Sequence, residues 1–120
     1  GATDTIYALP VADPDASEVL YTHTNGAAPG FNGIDMSADG TIYVSALALN
    51  RVARLGEDGT LIYLAESFRG SSDVAYDETT GQLFVNNWDS SWLLPVRLLF
   101  LAFDVDARLP FSVDVLTGEL

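Results

Sequence analysis

Two stretches of the chain repeat each other about forty residues apart, and a repeat of short strands at that period restricts the fold more than any single residue does. Phe31 to Ser45 reads as a strand, an acidic turn Ala38-Asp39-Gly40 and a second strand. Ser71 to Asp77 leads through Glu78-Thr79-Thr80-Gly81 into Gln82 to Asn86, the same grammar with one extra turn residue. A unit this small cannot bury its own faces, so such units stack on one another as propeller blades do. The expected fold is all-β, a portion of a β-propeller.

Strand-like runs continue on both sides of the repeat, and no segment keeps a helical period over a dozen residues. Asp39-Gly40 and Asp58-Gly59 supply the positive torsions that tight hairpin turns need. Four strands are predicted near 32–36, 41–45, 51–55 and 61–65, and four more near 73–77, 82–86, 98–104 and 111–115. Ahead of them, Ile6-Tyr7-Ala8-Leu9 corresponds to Val52-Ala53-Arg54-Leu55, and Glu18 to Tyr21 corresponds to Leu61 to Leu64. The chain thus divides into a half blade over 1–24, a blade over 30–66 and a blade over 71–116, about two and a half four-stranded blades. Residues 87–97, with Trp88, Trp92 and Pro95, read as an inserted loop that either lids a pocket or plugs the end of its blade. Leu98 to Phe103 reads as a strand buried between blades.

Two and a half blades do not close a ring, and an open ring leaves edges and faces bare. The remaining blades are therefore expected from further sequence or from other copies of the chain. A start at Gly1-Ala2-Thr3 fits a piece of a longer polypeptide. A sandwich or barrel is the alternative all-β fold.

Charge narrows the partners. Seventeen acidic residues stand against 5 arginines and no lysine, a net charge of -12, which repels phosphates and anionic headgroups. Nucleic acid is excluded as an expected partner. Trp92 to Phe103, the longest apolar run, is broken by Pro95 and Arg97 and is too short for a membrane span. With no cysteine, disulfides and thiolate metal sites are excluded. The reading leans to an extracellular or periplasmic location, although no leader sequence marks one.

The phrases Asn32-Gly33-Ile34, Ala38-Asp39-Gly40-Thr41-Ile42-Tyr43-Val44 and Asn50-Arg51-Val52-Ala53-Arg54-Leu55, together with Asp73 to Asp77 and Thr80 to Val85, resemble a blade of the gluconolactonase / senescence marker protein family. The resemblance spans roughly residues 30 to 86. It implies a six-bladed, calcium-dependent propeller that hydrolyses lactones or related esters, with a small-molecule substrate at the channel axis. It also implies one Ca²⁺, or another divalent cation, held by Asn and Asp side chains at the starts of inner strands and by a glutamate from an early blade. Convergent oxygens suit Ca²⁺, and such a cation polarises a lactone carbonyl or orients a water. Asn32 falls on the family's Asn-Gly ligand position. At the second position Ser72 stands where the family has aspartate, with Asp73 one residue later. One residue turns a side chain to the opposite face, although at a strand start both neighbours reach the channel. Asp73 is thus the second implied ligand, and the glutamate has no counterpart here.

Each residue also has a plainer role. Asn32 before Gly33 is a standard turn pair, and Asp73 is suited to capping a loop. Asp39 and Asp77 belong to turns; Asn86, Asn87 and Asp89 suit either a channel rim or a loop. His23, the only histidine, has no partner for a dyad, and no Ser-His-Asp set can be assembled. The acidic residues lie scattered along turns, which argues against a glycosidase pair, and no glycine-rich phosphate loop is present. Other propellers use the same strand phrase without metal or catalysis. A non-catalytic scaffold binding a protein or glycan through its loops is therefore the alternative function.

Overall fold

The structure, a computed structural model, describes residues 4–68, 70–88, 111–118 and 120. The fold is all-β. Its strands are β1 (Thr5–Ala8), β2 (Glu18–Thr22), β3 (Phe31–Met36), β4 (Ile42–Ala46), β5 (Arg51–Leu55), β6 (Leu61–Ala65), β7 (Ser71–Asp77), β8 (Gln82–Trp88) and β9 (Phe111–Leu116). They form three antiparallel sheets, β1-β2, β3-β4-β5-β6 and β7-β8-β9. No helix among the described residues is long and apolar enough to cross a membrane.

Two features differ from the sequence reading. β9 bonds directly to β8, with Val85 opposite Asp114 and Asn86 opposite Val113, so it takes the place given above to 98–104. Residues 98–104 themselves, with Trp92, Pro95 and Asp89, lie outside the described residues. β8 also runs on to Trp88, so Asn87 and Trp88 belong to a strand and not to an inserted loop. The reason is the bonding available at that edge: Trp88 N donates to Gly70 O at 2.7 Å, which carries the ladder two residues further.

The middle sheet is covered on both faces because its two strand parities are both apolar. Val44 and Ala53, paired across β4 and β5, pack on Ile6 of the first sheet. Tyr43 and Val52 point the other way and pack on Val74, Leu83 and Val85 of the third. Tyr43 stacks on Tyr76 with centroids 5.0 Å apart and planes at 16°. Burial pushes the Tyr43 hydroxyl pKa up, and neighbouring Tyr76 adds to it.

Three turns reuse one Asp-x-Thr device. Asp39, Asp58 and Asp77 each accept, through Oδ1, the backbone N–H two residues on, at 3.0, 3.1 and 2.9 Å. The Ser37 hydroxyl bonded to Asp39, the Thr60 hydroxyl bonded to Asp58 and the Thr80 hydroxyl bonded to Asp77 hold those carboxyls below the ordinary carboxylate range. A depressed folded-state pKa stabilises above the unfolded value, and that contribution is lost as pH falls through the folded one. The triple variant D39N/D58N/D77N should therefore have a lower urea midpoint than the parent at pH 7. That gap should close as pH drops below about 4. A gap that stays constant down to pH 2 would remove the turn carboxylates from the account.

Candidate functional site

β3 and β7 begin the second and third sheets, and they lie against each other nearly in repeat register. Asn32 Nδ2 donates to Ser72 O at 2.6 Å, across 40 residues of sequence. Tyr76 N donates to Asp35 Oδ2 at 2.6 Å, and Ala38 N donates to Glu78 Oε1. Positions 40 or 41 residues apart thus meet across the two sheets.

This register brings Asn32 and Asp73 to the same end of the strand pair. Asp73 lies against Gly33, and the close approach is possible because Gly33 has no side chain. A Cβ on Gly33 would strike Asp73 Oδ1 and come within 2.5 Å of Asp73 Cα and 3.0 Å of Val74 N. Gly33 is held there by its N–H, which donates to Ser45 Oγ at 2.8 Å. Both candidate ligands are exposed. A carbonyl accepts only from the NH₂ end of an amide, so the bond to Ser72 O turns the Asn32 oxygen away from the β7 backbone. Asp73 Oδ1 accepts Val74 N at 2.9 Å, and Asp73 lies opposite Asn86, which is also exposed. The chemistry on offer is a short row of oxygen donors. No group of three His, Cys, Asp or Glu that could hold a metal occurs among the described residues.

Asn87 lies apart from this row. It is 1% exposed, its Nδ2 donates to Asp114 Oδ2 at 2.8 Å, and its Oδ1 is buried with no hydrogen-bond partner. That excludes a loop role for Asn87.

His23 sits elsewhere, in a cleft of about 580 Å³ between the first sheet and the outer strands of the second. Its Nδ1 is 3.1 Å from the Tyr21 hydroxyl, and its Nε2 is buried without a partner. Arg51 lines the same cleft, 3.4 Å from Glu66 and with its guanidinium 4.8 Å from the Tyr63 ring centroid. Burial, and secondarily Tyr63, raises the Tyr21 hydroxyl pKa. Neither Asn32 nor Asp73 lines the cleft that holds His23.

A second repeated device was not singled out from the sequence. Asp4 and Asn50 both use a side-chain oxygen and the backbone carbonyl to clamp the chain that leads into the next sheet. Asp4 Oδ2 accepts Gly30 N at 2.5 Å, and Asp4 O accepts His23 N at 2.9 Å. Asn50 Oδ1 accepts Gly70 N at 2.9 Å, and Asn50 O accepts Phe68 N at 3.1 Å. The signal was present. Extending the correspondence of Ile6 with Val52 two residues back aligns Asp4 with Asn50.

Together these features define an all-β chain of stacked antiparallel sheets with oxygen donors aligned at the start of its first strands. Comparison with protein-family models, with curated proteins and with solved structures finds no match to the chain.

Proposed function

We propose that the chain is part of a β-propeller that binds a divalent cation, Ca²⁺ by preference, at its axis and hydrolyses lactones or related esters. The observation that supports the reading is that Asn32 and Asp73 stand at the starts of adjacent first strands, where Asn32 bonds Ser72 O and Asp73 lies against Gly33. Ca²⁺ takes six to eight oxygens in irregular geometry, so these two donors fit part of its shell and further blades or copies supply the rest. When bound, the cation would polarise the ester carbonyl or orient a water for attack. Ser72 O holds the Asn32 amide in orientation, and Val74 N–H fixes one oxygen of Asp73.

Calorimetric titration with Ca²⁺ tests the reading, alongside an assay of lactone hydrolysis. Micromolar binding is expected, weakened about tenfold or more in Asn32→Ala and in Asp73→Ala, with turnover lost in both. No heat up to millimolar Ca²⁺ and no turnover would overturn it. A second reading, a non-catalytic propeller scaffold, has its own observation. The Asn32 bond to Ser72 O is a cross-sheet tie that works without metal. In that case Asn32→Ala lowers stability and leaves Ca²⁺ titrations unchanged.

A further inference from the structure

We infer that the cleft holding His23 and Arg51 binds a small organic carboxylate, a monoanion with an apolar body. The carrying observation is a departure from the repeat. Asp4 and Asn50 make the same pair of clamp bonds, so the residues they hold are equivalent: His23 with Phe68, and Gly30 with Gly70. Phe68 is 9% exposed and belongs to the core formed with Val52 and Val74. At the first junction a histidine stands in that place, and its Nε2 is buried with no hydrogen-bond partner. Such an atom is costly, and the second junction shows that the fold does without it.

The connector is also longer. His23 and Gly30 are seven residues apart and Phe68 and Gly70 two, so the first connector has five extra residues. Asn25, Gly26 and Ala27 of that length line the cleft together with Arg51, Thr60 and Tyr63 of the second sheet. The cleft lies between two sheets that this connector joins, so its walls come from within the chain. Its volume of about 580 Å³ falls in the range of small-molecule sites.

Charge selects the ligand. The chain carries 17 acidic residues, yet none of those described lines the cleft, whereas the single histidine and Arg51 do. Arg51 is steadied over the Tyr63 ring, and one terminal nitrogen lies 3.4 Å from Glu66. That ion pair is solvent-exposed and weakly held. The guanidinium keeps further donors, and its planar fork matches a carboxylate. Tyr21 adds another donor. We place the ring hydrogen of His23 on Nδ1, because a buried Nε2 without a partner is borne better as a lone pair than as an N–H. Nδ1 then donates to the Tyr21 oxygen 3.1 Å away, and the Tyr21 hydroxyl hydrogen is free to bond the ligand. Leu49 and Leu61 give the ligand's body an apolar wall. The net charge of -12 disfavours a dianion such as phosphate more than a monoanion. The inference goes beyond the proposed metal site and does not rest on it.

Calorimetric titration of the chain with sodium benzoate at neutral pH, without added Ca²⁺, tests it. Benzyl alcohol is the uncharged counterpart. Benzoate is expected to bind with a Kd of about 1 mM or tighter, and benzyl alcohol about tenfold more weakly or worse. Arg51→Gln should weaken benzoate binding about tenfold or more. Arg54→Gln removes the same charge outside the cleft and should leave it unchanged. Tyr21→Phe keeps the ring, loses the hydroxyl and should weaken benzoate about threefold or more. It carries the test should circular dichroism show that Arg51→Gln misfolds. No benzoate binding up to about 20 mM overturns the inference, as does equal affinity for benzyl alcohol. So does a folded Arg51→Gln or Tyr21→Phe variant that binds benzoate as the parent does, or Arg54→Gln weakened as much as Arg51→Gln. Inorganic phosphate binding more tightly than benzoate would overturn the choice of a monocarboxylate.

Discussion

Gly33→Ala should lower stability by about 3 kcal/mol, the upper part of the usual overpacking range, and lower the melting temperature by roughly 10 °C or more. The added methyl would meet Asp73 Oδ1, Asp73 Cα at 2.5 Å and Val74 N at 3.0 Å. Two of those neighbours are backbone atoms of a strand bonded along its length to β8, so they cannot turn aside as a flexible side chain would. The sheets must separate locally, and the core of Tyr43, Val74 and Leu83 loosens with them. Gly40→Ala is the control. Nothing lies within 4 Å of its Cβ position, and only its φ of +90° opposes the change, at a cost of about 1 kcal/mol. Equal melting temperatures for the two variants would mean that β3 and β7 do not approach closely at Gly33. The same variant also displaces Asp73, so any Ca²⁺ affinity should fall together with stability.

Asn50→Ala should cost about as much by a different route. Asn50 has a left-handed backbone, with φ of 52° and ψ of 45°, which asparagine tolerates and alanine disfavours by about 1 kcal/mol. Truncation also strands Gly70 N–H at a part-buried sheet junction, worth about 1–3 kcal/mol. The two together predict a loss of about 3 kcal/mol in equilibrium denaturation. Asn50→Asp should recover most of it, since aspartate accepts the same bond and also tolerates that backbone. Asp4 already does this work at the preceding junction. If Asn50→Asp is no better than Asn50→Ala, the clamp is not what holds the third sheet to the second.

Much of the architecture was legible because it is written locally. Asp39-Gly40 and Asp58-Gly59 close hairpins with φ of +90° and +79° at the glycines, as the dipeptides demand. The candidate site was half legible. Asn32 was marked by the Asn-Gly pair, but its bond to Ser72 O depends on how two sheets stack, which no single strand encodes. The one-residue offset at Asp73 left its direction open. In the structure Asp73 lies against Gly33, which has no side chain, a contact 40 residues away in sequence.

By itself the sequence determined the strands, the turns and the repeat, because backbone torsion preference and two-residue alternation act between neighbours along the chain. Only the tertiary structure decided which edge β9 joined, which of the equivalent valines was covered, and where Asp4 and Asn50 placed their second bonds. Those outcomes depend on hydrogen bonds and apolar area shared between segments remote in sequence. Val52, opposite Ser45, and Val113, opposite Asn86, have the same side chain at the same place in the repeat, yet Val52 is buried against the third sheet and Val113 is 60% exposed.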